Sequence, residues 1–156
     1  MKNEYQKTIE NSTNYNYRTK EVSMIGESIT SAVLQRALDG TWQRQKAIAS
    51  NIANQETPGY KAVKVSFEDS LMQELQNLQH RKTSKEEILR GINSVKSANI
   101  NVFSNYSTSE RADGNNVNLD FENIEMAKTQ IQYQYLTRSM TDLFSRLRYA
   151  ISEGKK

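Results

Sequence analysis

Cysteine is absent from the 156 residues, so neither a disulfide nor a thiolate metal site contributes to the fold. Apolar residues are scarce as well. Only 36% of the chain is hydrophobic and 8% aromatic, with a mean hydropathy of −0.80. That is too little apolar surface to offset the entropy of ordering the whole chain in one core. The chain must therefore expose long helices, leave parts unordered, or draw further burial from partners. No apolar run approaches a signal-peptide core or a membrane span, which predicts no membrane insertion and no cleaved secretory signal. Charge of one sign is lacking too: 21 basic and 18 acidic residues interleave to a net +3, which is not the concentrated basic field that nucleic acid requires. Catalytic constellations are missing in the same way. The single histidine, His80, sits in a charged polar run, and no nucleophile elbow or phosphate-binding glycine loop occurs. Glu68/Asp69 and Glu86/Glu87 are adjacent pairs that diverge on a helix and cannot share a proton or metal. The expectation is a protein without cofactor or metal that is not an enzyme.

The chain has one proline, and it falls where a long helical pattern must stop. In Asn51-Ile52-Ala53-Asn54-Gln55-Glu56-Thr57-Pro58-Gly59-Tyr60-Lys61, Pro58 cannot donate to a helix ladder and disfavours helix at the residue before it. Pro58-Gly59 fits the central positions of a type II turn, with glycine supplying the positive φ at the third.

Upstream, residues 26–56 read as one helix carrying a single interior glycine, Gly40, at a cost of about 1 kcal/mol relative to alanine. Leu34, Leu38, Thr41, Gln45, Ile48 and Ile52 alternate at spacings of four and three, a coiled-coil seam with two polar interruptions. Ile25 and Ile29 lie almost opposite Leu38 and Trp42, so one neighbour could not bury both sides. After the turn, Val63 and Val65 alternate weakly as a strand, and Phe67 opens a short helical pattern through Leu71, Leu75 and Leu78. Residues 80–116 read as a mobile or partner-ordered middle with one amphipathic turn at Ile88, Leu89 and Ile92. Asp113-Gly114-Asn115-Asn116 closes it with strong turn chemistry. A last helix should start at an N-cap Asp120 and run to Ile151. Its seam, Met126, Thr129, Tyr133, Leu136, Met140, Leu143, Leu147 and Ala150, is the best periodic signal in the chain. A second stripe, Ile124, Ala127, Ile131 and Tyr135, lies on roughly the opposite side and implies a second neighbour. The fold expected is mainly α: long N- and C-terminal helices paired as an antiparallel coiled-coil-like hairpin around a poorly ordered middle. The segments are a disordered extension (1–23), an N-terminal helix (24–57), turn, strand and short helix (58–79), a flexible middle (80–116), a C-terminal helix (117–152) and a tail (153–156).

The Asn-Ile-Ala-Asn run followed by Thr57-Pro58-Gly59-Tyr60-Lys61 resembles the N-terminal signature of the bacterial flagellar rod and hook proteins. Asp113-Gly114-Asn115-Asn116-Val117-Asn118-Leu119-Asp120, with Glu122, Met126, the run from Tyr133 to Thr137 and the run from Phe144 to Ile151, resembles the C-terminal signature of its proximal-rod members. Trp42, Gln45 and Asn118 depart from the pattern without breaking a helix or turn. The resemblance implies a structural subunit of the flagellar basal-body rod that assembles with itself and with other rod and basal-body proteins. It further implies delivery by the flagellar type III export apparatus and a working start near Met24. It also implies a short export element of two apolar residues four apart; Ile25 with Ile29, or Ile29 with Val33, has that spacing. Periodicity alone would equally allow a soluble helical adaptor or chaperone forming a small coiled-coil oligomer.

Overall fold

The computed structural model describes residues 29–79, 84–106 and 111–153. Its elements in chain order are α1 (29–53), β1 (Val63–Ser66), α2 (Glu68–Gln79), α3 (Lys85–Lys96), β2 (Asn101–Ser104) and α4 (Leu119–Glu153). The sequence-predicted Ile25, His80 and residues 1–23 lie outside the described residues.

The two long helices run antiparallel. Asn51, at the end of α1, meets Glu122 in the first turn of α4, and Leu136, halfway along α4, packs on a cluster that includes Ala32 and Ala37 near the start of α1. Of the polar interruptions in the seams, Gln45 is half-buried, whereas Thr41 and Thr129 are buried and satisfied. Thr41 Oγ1 donates to the Ala37 carbonyl at 2.7 Å, and Thr129 Oγ1 donates to the Glu125 carbonyl at 2.6 Å. Such bonds to the preceding turn allow a hydroxyl to enter a dry seam without an orphaned donor.

The second neighbour that Ile29 calls for is the α2–α3 pair. Phe67, Leu71, Ile92, Val95 and Ala98 form one buried cluster with Ala32 and Ala37 of α1, and Ile29 and Val33 pack against it. Gly40 gives this contact its closeness. A Cβ there would stand 2.5 Å from the Phe67 ring, so the glycine that weakens the helix also seats the aromatic ring on its backbone. Arg44 holds the same corner: its guanidinium stacks 4.9 Å from the Phe67 centroid and pairs with the Glu68 carboxylate at 2.6 Å. Burial pushes the Glu68 carboxyl up, but the Arg44 hydrogen bond and the backbone N–H groups of Glu68 and Phe67 outweigh it and hold the group below its ordinary range.

Three boundaries differ from the sequence reading. Helix α1 ends at residue 53 rather than 56, and the carbonyls of the residues just past its end are bound by a distant side chain described below. Helix α4 is capped by Asn118, whose Oδ1 accepts from the Phe121 N–H at 3.0 Å, rather than by Asp120. In the segment read as a mobile middle, α3 starts at an N-cap Ser84 that accepts from the Glu87 N–H, and β2 pairs antiparallel with β1, Val65 opposite Val102. Both elements are short and mostly polar. Helix α3 is stabilised by packing across the chain, through Ile92 and Val95, and β2 by its pairing with β1, more than by local propensity.

Candidate functional site

The two signature motifs, some sixty residues apart in sequence, meet in one polar joint at the end of α1. Thr57-Pro58-Gly59-Tyr60 forms the expected type II turn: Gly59 has φ +72° and the Tyr60 N–H donates to the Thr57 carbonyl at 3.2 Å. Gly114, φ +78°, sits against it; a Cβ on Gly114 would stand 3.7 Å from the Gly59 Cα. The Gly59 N–H donates to the Asp113 carbonyl at 2.9 Å, and Lys61 Nζ donates to the Gly114 carbonyl at 2.6 Å.

At the centre of the joint is Asn115, which is 0% exposed. Its Nδ2 donates to the carbonyls of Asn54, Gln55 and Thr57 at 3.0, 3.0 and 2.9 Å, and its Oδ1 accepts from the Val117 N–H at 2.8 Å. These carbonyls belong to the residues that follow α1, so one amide from the C-terminal half fixes the path of the chain as it leaves the helix. Arg111 Nη1 adds a bond to the Gln55 carbonyl at 3.1 Å. Asp113 Oδ1 fixes the loop by accepting from the Asn115 N–H at 3.0 Å. That bond, with Arg111 beside it, holds the Asp113 carboxyl below its ordinary range, so its contribution to stability is present above the unfolded value and is lost as pH falls through the folded one.

Two further asparagines complete the joint. Asn116 accepts from the Ala62 N–H at 2.8 Å and donates to the Asn105 carbonyl at 2.7 Å. Asn51 exchanges both of its polar atoms with Val63, at 2.9 and 2.8 Å, and its Oδ1 also accepts from the Tyr60 hydroxyl at 3.2 Å. It also reaches Glu122, whose carboxyl burial pushes above the ordinary range against the partial relief given by Asn51 and Lys64. Of the motif residues named from the sequence, Asn51, Asn54, Thr57, Gly59, Tyr60 and Lys61 take part directly. Ile52 is half-buried, and Ala53 and Pro58 are exposed. Sequence reasoning missed Asn115 and Asn116 as structural groups beyond their turn; the available signal was a run of asparagines ahead of an apolar helix.

The seam residues divide unevenly. Ile48 and Leu143 are buried; Leu34, Leu38, Ile52, Met126, Leu136, Met140 and Leu147 are half-buried; Tyr133 lies at the exposed edge. The second stripe of α4 is open: Ile124, Ile131 (63% exposed) and Tyr135 face away from α1. Among the described residues there is no cluster of metal-ligating side chains and no helix long and apolar enough to cross a membrane.

The turn geometry gives a direct expectation. Gly59→Val should impair function far more than Tyr60→Phe, because a β-branched residue at φ +72° is a backbone outlier whereas the lost hydroxyl bonds are long. Swimming speed of cells carrying each variant measures the difference, and equal speeds would contradict the role given to the turn.

Comparison with known proteins gives a consistent picture. Residues 32–61 match the family described as flagella basal body rod protein. The chain is 38% identical over 122 residues to the flagellar basal body rod protein FlgB of Bacillus subtilis, covering 78% of this chain and 92% of that protein. It is 35% identical over 105 residues to FlgB of Buchnera aphidicola, covering 64% of this chain and 77% of that protein. To FlgB of Salmonella typhimurium it is 31% identical over 107 residues, covering 64% and 76%.

Proposed function

The chain belongs to the flagellar basal body rod proteins of the FlgB type, and from that premise we propose how it is built into the rod. It is a structural subunit of the flagellar basal body that associates with other basal-body proteins, and its relatives are rod proteins rather than enzymes. In our reading, α1 and α4 pair through their seams within the subunit, and the outer stripe of α4 packs against neighbouring subunits, copies of this chain included. The observation that carries this reading is the exposure of Ile124, Ile131 and Tyr135 in one row on a helix whose other side is already covered. A contiguous apolar row on a solvated helix marks an interaction surface. The polar joint has a separate part in the reading: it fixes the direction in which the chain leaves α1, so that the α2–α3 pair and the start of α4 keep one arrangement under load.

Ile131→Asp tests the surface. It should leave the melting temperature of the purified chain nearly unchanged, because the side chain is already in water, while stopping swimming. Retained swimming would remove the outer stripe from the assembly.

Delivery by the flagellar export apparatus is the second part of the reading. Ile29 and Val33 pack against the core cluster, so an element made of them is readable only while the chain is unfolded, where side chains four apart can present one apolar patch. Ile25→Ala/Ile29→Ala should lower the exported fraction on immunoblots from a strain blocked in rod assembly, and deleting residues 2–23 should change it little. Normal export of the double variant would rule the element out.

A further inference from the structure

Between α1, β1 and the start of α4 lies a groove of about 330 Å³, walled by Ala47, Ile48, Val63 and Phe121. Glu122 lines it and is 5% exposed. Among the described residues no ion pair reaches this carboxylate. Arg44, on the same groove, is engaged by both oxygens of Glu68 at 2.6 and 2.7 Å, and Glu125 is paired with Lys128 at 2.7 Å. Lys64, on β1, acts on Glu122 through space without closing a pair, and Glu125 on α4 repels it. Among the described residues its hydrogen-bonding neighbour is the Asn51 amide. Lys64 and Arg44 also line the groove, but neither is in ion-pair contact with Glu122, and a buried carboxylate without such a contact costs stability in the isolated subunit.

We propose that this groove receives a lysine or arginine side chain from a helix of a neighbouring rod subunit, its aliphatic stem on Ile48, Val63 and Phe121 and its charged head at Glu122. The proposal rests on the reading that neighbours pack along the outer side of α4. Phe121 joins the two features, since it lines the groove and stands half-exposed one turn ahead of Ile124. The choice of occupant follows from charge. A purely apolar side chain would seal the carboxylate away from water with no counter-charge, and an acidic one would add repulsion to Glu122 and Glu125. A long cationic side chain matches both the apolar walls and the acid among them, because its stem and head separate the two chemistries.

Glu122→Gln separates a partner's ion pair from a role in the chain's own fold, as it keeps the shape and the contact with Asn51 and removes only the charge. In the purified full-length chain its melting temperature should rise by roughly 2–4 °C at neutral pH. The amount of chain recovered in detergent-extracted basal bodies should fall at least about tenfold, as expected when one member of a buried interfacial pair is removed. Unchanged incorporation of Glu122→Gln would overturn the proposal, and so would a lowered melting temperature, which would make Glu122 a support of the subunit itself. Ile131→Asp keeps the two readings apart. If it blocks incorporation while Glu122→Gln does not, only the cation is lost from the account; if both incorporate normally, the outer-face packing falls with it.

Discussion

Asn115→Ala is expected to lower the melting temperature of the purified chain by on the order of 10 °C and to abolish rod assembly. The substitution removes a side-chain donor from three carbonyls just past the end of α1, which keep only the Thr57 N–H, Arg111 and the Tyr60 N–H, and it leaves the buried Val117 N–H without its acceptor. Leaving a buried polar group unpaired costs about 1–3 kcal/mol. One orphaned N–H, the lost amide bonds and the space left by a fully buried side chain sum to roughly 2–4 kcal/mol, a large share of the 5–15 kcal/mol typical of a whole domain. Asn115→Asp sharpens the test. It retains an acceptor for Val117 but turns a carboxylate toward the carbonyls of Asn54, Gln55 and Thr57, so it should be at least as damaging as alanine. Thermal unfolding followed by circular dichroism measures both, and an Asp variant as stable as the parent would mean that the amide does not fix the exit from α1.

Leu143→Asp is expected to be comparably severe for a different reason. Leu143 is 2% exposed and lies two turns beyond Leu136 on the side of α4 that carries the seam. Burying a leucine contributes roughly 1.5–3 kcal/mol, and a carboxylate in its place must be protonated, hydrated by local opening, or expelled with its neighbours. The expected result is loss of cooperative unfolding at neutral pH and non-swimming cells. Leu143→Met, which nearly conserves volume, should cost less than about 1.5 kcal/mol and preserve swimming. Swimming by cells carrying the Asp variant would remove the seam from the account.

Legibility differed between the helices and the joint for physical reasons. The long helices α1 and α4 could be read because their apolar residues recur every three or four positions and leave a trace in sequence. The turn could be read because Pro58-Gly59 admits few conformations. Asn115 left no such trace: its partners are backbone carbonyls about sixty residues earlier, and backbone groups carry no sequence signal. The same limit hid β2, whose Val102 and Phe103 are placed by pairing with β1 rather than by an alternating pattern of their own. Gly40 was legible only as a weakness, since the reason for it, the Phe67 ring on the helix backbone, depends on how α2 docks. Ile29 was legible as a residue in need of a second neighbour, and the α2–α3 pair is that neighbour. In the groove, Glu122 was legible only as part of the C-terminal signature; its burial depends on β1 and α1 closing over it.

The most direct measurement of the central claim is photo-crosslinking from position 131 in intact basal bodies. A photoreactive residue in place of Ile131 should give adducts that contain rod proteins or a second copy of the chain. The same residue in place of Gln43, half-buried on α1, should give few adducts between subunits. Absence of the chain from purified basal bodies, or its presence there with no adduct from position 131, would contradict a rod subunit assembled through the outer face of α4.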